Sequence, residues 1–321
     1  MNKVDFEAHY YTDFFAGEFT ELLSKGVPKF GPFADLLDLG GRRLENMDRH
    51  GIDTQIISLS VGLELLETSA SVDVSRRVND VLAEAAARYP GRFLGCAALP
   101  VNDTDAAVQE LERCVLELGF VGWNTFSNFG GPTLADERYF PILRRAAELG
   151  VFVYLHPTVS AIDEFKGWGR DLEFGLGYHF DTCITLMKMI ATGVFDRLPN
   201  LKVILGHLGE GWPFMRQRLD SKSVPAGQGA PPGMQGGGKN LKKCGEYWDT
   251  NIWATTSGNY SKPAFQCAKD VLGIDHLLLG TDYPYEDLGE CMSFLQSIDL
   301  TNEERASLYY KNAEKIFGIK V

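Results

Sequence analysis

The sequence has no C-x-x-C pair, no long apolar run and no excess of positive charge, and each absence closes off a class of protein. Its six cysteines (Cys96, Cys114, Cys183, Cys244, Cys267 and Cys291) are widely scattered. That spacing speaks against a zinc knuckle or a disulfide framework and for buried thiols in a chain of this size. No apolar stretch reaches the ~18 residues expected of a membrane span. No basic segment with an apolar stretch precedes the first strand-like run, so no secretory signal is expected and a cytoplasmic enzyme is the default. Lys and Arg number 31 against 43 Asp and Glu, a formal net charge of −12. Nucleic-acid binders usually carry a basic footprint, so no nucleic-acid partner is expected. The acidity says little more, because acidic surfaces often serve only solubility.

What is present is ordinary soluble-protein material: 321 residues, 45% apolar and 23% charged. This is enough chain for one α/β barrel as a single domain over residues 1–321. Buried parallel strands read as short, nearly continuous apolar runs. Eight such runs occur: Lys3–His9, Thr54–Ser60, Arg92–Leu99, Phe120–Ser127, Val151–Pro157, Lys202–Gly209, Ile252–Ser257 and Leu277–Pro284. Helical patterns fall between them, at Val74–Tyr89, Asp103–Leu118 and Ala135–Leu149, with Asn302–Ile316 as the last. Strands alternating with helices make right-handed βαβ units, and eight of them predict a (β/α)8 TIM barrel.

Two stretches interrupt the rhythm. Tyr10–Leu36 follows the first strand and carries Phe14, Phe15 and Phe19, then Gly26, Pro28, Gly31 and Pro32. The second begins near Ser221, after strand six, and runs through Pro225, Pro231, Pro232 and Gly236-Gly237-Gly238 to Lys243. Glycine and proline at this density predict mobile loops. Both are expected on the C-terminal face of the barrel, as a lid, a subunit contact or an inert excursion.

Several apolar runs end in a metal-ligand residue. Val4-Asp5-Phe6-Glu7-Ala8-His9 offers Glu7 and His9, one residue apart and therefore on the same side of a strand. Val151–His156 ends in His156 before Pro157, Val203–His207 ends in His207, and Leu277–Asp282 runs into Pro284 just after Asp282. A buried histidine is more often a satisfied core residue than a ligand, and a lone Glu-x-His is weak evidence. Jointly, strands one, five, six and eight deliver ligand-type residues at the same end, and a buried carboxylate there needs a cation or proton partner. The set predicts a metalloenzyme centre.

These strand-end ligands resemble the amidohydrolase superfamily. The usual His-x-His of its first strand is here Glu7-x-His9. With His207-Leu208-Gly209-Glu210-Gly211-Trp212-Pro213, Thr255-Thr256-Ser257-Gly258-Asn259, Thr281-Asp282-Tyr283-Pro284-Tyr285-Glu286 and the helix-like Leu36–Gly51, the chain resembles the metal-dependent hydroxybenzoate decarboxylases. The γ-resorcylate (2,6-dihydroxybenzoate) type is closest in motif, and the 5-carboxyvanillate type is related. The resemblance implies that Glu7, His9, His156 and Asp282 bind one divalent metal, with His207 beside the substrate and held by Glu210. It also implies that Arg218 grips a substrate oxygen or carboxylate. Glu210 could instead stabilise the turn before Pro213, and Arg218 could instead pair with an acid such as Asp220. Phe14 and Phe180 are expected to wall a flat ring, together with Phe15, Trp123, Trp212 and Tyr283, though aromatics at such places are usually packing.

A mixed nitrogen and oxygen set admits Mn²⁺, Zn²⁺ and Mg²⁺. With the resemblance it favours Mn²⁺, then Zn²⁺, and no organic cofactor is expected. The expected reaction is loss of CO₂ from an ortho-hydroxy aromatic acid, 2,6-dihydroxybenzoate first, with Asp282 protonating the ring carbon. The competing expectation is hydrolysis of a lactone or amide by metal-activated water, and a third is a closed structural metal site. A homodimer or homotetramer follows from the resemblance alone.

Overall fold

The apolar runs pair in chain order. The structure, a computed structural model, describes residues 1–15, 17, 33–165, 172–229 and 238–320. Its eight parallel strands are β1 Val4–Tyr10, β2 Thr54–Leu59, β3 Phe93–Ala97, β4 Gly122–Phe126, β5 Phe152–His156, β6 Lys202–Leu205, β7 Ile252–Thr255 and β8 Leu277–Leu278. Each is hydrogen-bonded to the next. Closure of β8 onto β1 comes from individual bonds: the Phe6 N–H donates to Leu279 O (2.8 Å), Asp282 N–H to Glu7 O (2.8 Å) and His9 N–H to Tyr283 O (2.7 Å). The result is a (β/α)8 barrel, as the alternation predicts.

β1 is not a regular strand. Asp5 pairs with Gln55 and Ala8 with Ile57, so Phe6 and Glu7 together oppose the single residue Ile56. This is a β-bulge, the device that re-aims a side chain beside an active site. Phe6 belongs to the lower interior, with its ring 5.8 Å from that of Phe152 and 5.4 Å from that of Phe317. Val4, Ile56, Cys96, Tyr154, Ile204, Trp253 and Leu278 complete that apolar floor, covered by Ala313 and Ile319 of the C-terminal segment. Directly above it Glu7 and His9 face the polar upper interior. The floor excludes water from below, and the mouth is left for chemistry.

On the outer side of β1 a second set of buried polar groups ties the first strand to the last. Asp5 accepts from Gln55 Nε2 (2.9 Å), Thr281 N–H (2.9 Å) and Thr281 Oγ1 (2.6 Å). Arg43, from the helix Gly41–His50, is wholly buried. It donates to His9 O (2.6 Å) and Asp38 O (2.7 Å), and its guanidinium lies 4.9 Å from the Tyr283 ring centre.

Helix boundaries depart from the sequence reading where polar residues are buried. The helix after β2 is Thr68–Arg88, six residues longer at its start than Val74. Ser71 and Ser75 hide their hydroxyls by donating to Thr68 O and Ala98 O, so no apolar periodicity marks that start. The last helical region, Asn302–Phe317, contains a π turn at Ser307–Lys311. There Leu308 O accepts from the Leu279 N–H of the β8 end (3.1 Å). All six cysteines are free, five of them buried. Among the described residues no helix is long and apolar enough to cross a membrane.

Phe19, Gly26, Pro28, Gly31 and Pro32 of the first insertion lie outside the described residues, as do Pro231, Pro232 and Gly236-Gly237 of the second. The second insertion corrects an expectation. It leaves not from a strand end but from the C-terminal end of the helix Trp212–Lys222. Its returning flank bonds to the foot of the preceding unit, with Lys239 N–H to Ala191 O (2.6 Å) and Leu241 N–H to Asp196 Oδ2 (2.9 Å). A helix returning from a parallel strand ends at the N-terminal side of the barrel, so this segment is anchored opposite the mouth.

Phe6→Ala would open a cavity in the floor and lower the unfolding free energy by roughly 3–5 kcal/mol in a denaturant titration. Loss under 1 kcal/mol would mean that the floor is not packed as described.

Candidate metal centre and active site

The bulge and the strand ends converge on four atoms. His156 ends β5, and its Nδ1–H donates to the Pro157 carbonyl (2.7 Å), which leaves the Nε2 lone pair facing inward. His9 Nδ1 faces Ser58 Oγ (3.1 Å), so its Nε2 is likewise turned to the centre. Glu7 Oε2 accepts from Thr255 Oγ1 (2.7 Å). What remains is Glu7 Oε1, His9 Nε2, His156 Nε2 and Asp282 Oδ1, all buried and none with a hydrogen-bond partner. Ligand atoms of these four residues lie within 4.8 Å of one another. His9 Nε2 is 3.0 Å from Asp282 Oδ1 and His156 Nε2 3.8 Å from Glu7 Oε1, without forming hydrogen bonds.

Leaving such an atom buried and unpaired costs about 1–3 kcal/mol. Four of them pointed at one spot fit a cation and little else. The donor set is that of a divalent ion with mixed nitrogen and oxygen ligands. Protonation favours the same reading. Burial lowers the His9 and His156 imidazoles to about 4, so both are neutral donors at neutral pH. Burial and the Glu7 charge push Asp282 up to about 7. For Glu7 burial acts upward, but the nearby His207, His156 and His9 outweigh it and lower it.

Asp282 is held in an unusual backbone state. Its φ is 60°, in the left-handed region that a non-glycine residue occupies at a cost. The bonds from Asp282 N–H to Glu7 O and from Tyr285 N–H to Asp282 O, and the Asp5 clamp on Thr281, fix it there.

A second cluster sits beside the first. β6 stops at Leu205, four residues before the expected Gly209, because the chain then coils left-handed from His207 to Gly211, with φ of 52°, 60°, 81°, 57° and 80°. Each non-glycine residue in that conformation costs roughly 1–2 kcal/mol. The turn carries the His207 ring inward, where its Nε2 lies 4.0 Å from Asp282 Oδ2. Gly258 makes room for the ring, since a Cβ there would stand 2.8 Å from His207 Cδ2. His207 N–H donates to Ser257 Oγ (3.2 Å), and His207 Nδ1 pairs with Glu210 Oε1 (2.8 Å).

Glu210 is fully buried and binds two imidazoles rather than stabilising the turn before Pro213. Its second oxygen meets Nδ1 of His179, whose ring stands edge-on to that of His207 at 5.4 Å. Burial alone would raise Glu210, but the His207 charge and the hydrogen bonds from His179 and His207 hold it well below the usual carboxylate range. Burial alone would lower His207, but the Glu210 charge and hydrogen bond raise it to about 10. A divalent ion on Glu7 and Asp282 would oppose that rise by neutralising two of the charges behind it.

The sequence reading missed His179. It lies in the first turn of the helix Tyr178–Ala191, with no apolar run before it, and its tie to Glu210 spans 31 residues. By contrast His276, which also follows no strand, is structural: it stacks on Trp253 and bonds to Ile252 O.

Three expected substrate contacts are not brought to the centre. Arg218 is exposed on the helix Trp212–Lys222, and among the described residues its side chain meets no site residue. Its neighbour Arg216 makes the ion pairs, with Asp249 and Asp220. Phe14 packs under the Arg77 guanidinium (4.1 Å) in the outer layer. Phe180, 45% exposed, stacks on Phe165. Of the other aromatics, Phe15 and Trp212 are buried in the core, Trp123 is buried beside a small cavity that Phe126 also lines, and Tyr283 lies under Arg43. Rings beside the centre include Phe126 near His156 and Tyr285 near His9, each at 5.7 Å, and Tyr154, 6.2 Å from His156 with its hydroxyl hydrogen-bonded to Glu7.

Elemental analysis of metal-loaded protein should find one divalent ion per chain, and well under one in Glu7→Gln and His156→Ala. Equal content in the variants would refute the centre. His179→Ala should lower turnover about 10- to 100-fold with the ion retained, as for groups that orient a ligand sphere. Unchanged turnover would show that His179 is incidental.

The amidohydrolase family model matches residues 4–319. A γ-resorcylate decarboxylase from Rhizobium radiobacter is 36% identical over 295 residues, 88% of each chain. Among solved structures, a dihydroxybenzoic acid decarboxylase from a Polaromonas species, with bound manganese and the inhibitor 2-nitroresorcinol, superposes with a TM-score of 0.85 at 30% identity. That alignment covers 99% of this chain and 97% of the other. A 5-carboxyvanillate decarboxylase from Sphingomonas paucimobilis gives 0.89 at 27% identity, covering 99% of both chains. The chain belongs to the amidohydrolase family, and within it to the branch whose relatives are hydroxybenzoate decarboxylases.

Proposed function

We propose that this protein is a metal-dependent decarboxylase of ortho-hydroxy aromatic acids, with 2,6-dihydroxybenzoate the first candidate and Mn²⁺ favoured over Zn²⁺. The observation that carries the reading is the set of four buried, unpartnered donor atoms beside a second acid-base group, His207 with Glu210. The hydroxybenzoate decarboxylases at 30–36% identity support the substrate class. They do not favour the lactone or amide hydrolase.

Glu7, His9, His156 and Asp282 would hold the ion. When bound, it supplies positive charge against the substrate carboxylate and its ortho oxygen, and fixes the ring. The protein's own residues do the rest. Asp282 offers Oδ1 to the centre and keeps Oδ2, the oxygen nearest His207, for a proton. From Oδ2 it protonates the ring carbon that bears the carboxylate. The bond from that carbon to the carboxylate then breaks, its electrons restore the aromatic ring, and CO₂ leaves. One proton is consumed per turnover, and His207 Nε2 is placed to return it to Asp282. Glu210 keeps the His207 imidazole oriented, and the apolar floor below Glu7 excludes water.

Asp282→Asn should retain the folded barrel and lose at least about 10²-fold in CO₂ release, the usual contribution of a positioned proton donor. In D₂O the wild-type phenol product should carry one deuterium at the vacated carbon. Substantial residual activity would remove Asp282 from this role. Silence toward all hydroxybenzoates with clear lactonase activity would overturn the reading.

A further inference from the structure

Beside the metal centre, β2, β3 and β4 end around a narrow cavity that neither the four donor residues nor the His207–Glu210 pair lines. Leu59, Leu63, Leu99, Trp123, Phe126 and Phe129 give it apolar walls, and it has room for about one water molecule. Phe126 is shared between the two sites, lining the cavity and standing edge-on to His156 at 5.7 Å. Three polar side chains line it: Asn124, Thr125 and Glu64. Thr125 Oγ1 is buried without a hydrogen-bond partner. Asn124 is committed, its Nδ2 donating to Leu59 O (3.4 Å). Glu64 is not.

Glu64 lies on the turn Leu63–Leu65 that follows β2. Asn102 fixes that turn by donating to Glu64 O (3.1 Å) and Leu66 O (3.3 Å). The carboxyl folds back over Gly62, where a Cβ would stand 2.3 Å from the carboxyl carbon, so glycine is what permits the conformation. Its oxygens receive the residue's own N–H, and no cation pairs with them among the described residues. The residue as a whole is partly exposed, yet burial of its carboxyl pushes it up to about 7. Near neutral pH a substantial share of such a group is the neutral acid, able to donate and to accept.

We propose that this cavity is a subsite of the metal centre that receives one ring hydroxyl of the substrate, hydrogen-bonded to Glu64. A methyl group there would leave the acid's O–H without an acceptor, and a second carboxylate would be repelled once Glu64 ionised. A hydroxyl matches both the size and the chemistry. The identity of the ring rests on the decarboxylase reading above; the cavity and its free acid do not.

The test compares salicylate with the four dihydroxybenzoates that keep its ortho hydroxyl, using Mn²⁺-loaded wild type, Glu64→Gln, Glu64→Leu and Gly62→Ala. Gly62→Ala displaces the carboxyl without removing it, and thermal melts confirm which variants fold. For one dihydroxy isomer, kcat/KM should fall about 10-fold or more in Glu64→Leu and Gly62→Ala, while salicylate changes little and Glu64→Gln restores most of the loss. If every acid is affected alike, or none is, the subsite is overturned and the decarboxylase reading stands. If wild type releases CO₂ from no acid, the decarboxylase reading fails, and calorimetry with resorcinol and phenol decides the subsite alone. A wild-type preference for resorcinol that Glu64→Leu abolishes supports it, and equal binding overturns it.

Discussion

Two carboxylates and two imidazoles held within 4.8 Å, with one atom of each unpartnered, are the constraint around which the rest of the barrel is arranged. Without a cation the arrangement is costly, since buried polar atoms need partners. It persists because the surrounding structure over-determines it. The β1 bulge turns Glu7 inward above Phe6. The Asp5–Thr281 bonds and the bond from Asp282 to Glu7 O lock the last strand end to the first. Arg43 reaches both sides of this seam, donating to the His9 carbonyl and lying against the Tyr283 ring. The two-residue β8 is thus followed by a segment, Thr281–Tyr283, that side chains and backbone tie to β1 and Arg43.

The same economy of means places the acid-base group. A left-handed turn of five residues carries His207 to within 4.0 Å of Asp282 and buries Glu210 between two histidines. Backbone strain of this kind clusters where function requires a fixed side chain. The centre and the acid-base pair meet at Asp282, one oxygen facing each. In the proposed reaction that shared carboxylate would link ion binding to proton delivery.

The eight strands, the barrel and the clustering of Glu7, His9, His156 and Asp282 were legible in the sequence, because buried parallel strands are apolar runs and their ends are marked by a ligand-type residue or a proline. The bulge was not. Val4-Asp5-Phe6-Glu7-Ala8-His9 alternates regularly, and only the register against β2 shows Phe6 and Glu7 sharing a face. His179 was hidden because helix starts carry no such mark, and its partner is 31 residues away. Phe14 and Phe180 were misplaced because an aromatic's position in sequence does not say which side of a helix it takes. Arg218 was assigned by resemblance, and its exposure on the outer helix does not bring it to the centre. The second insertion was set at the mouth because it follows strand six in sequence, although a helix intervenes.

The central claim is that Glu7, His9, His156 and Asp282 bind one ion together. X-ray absorption spectroscopy of the Mn²⁺-loaded protein tests it most directly. The account predicts a mixed shell with two imidazole nitrogens and carboxylate oxygens, and loss of one imidazole contribution in His156→Ala. A shell of oxygen alone, or a spectrum unchanged by that substitution, would contradict it.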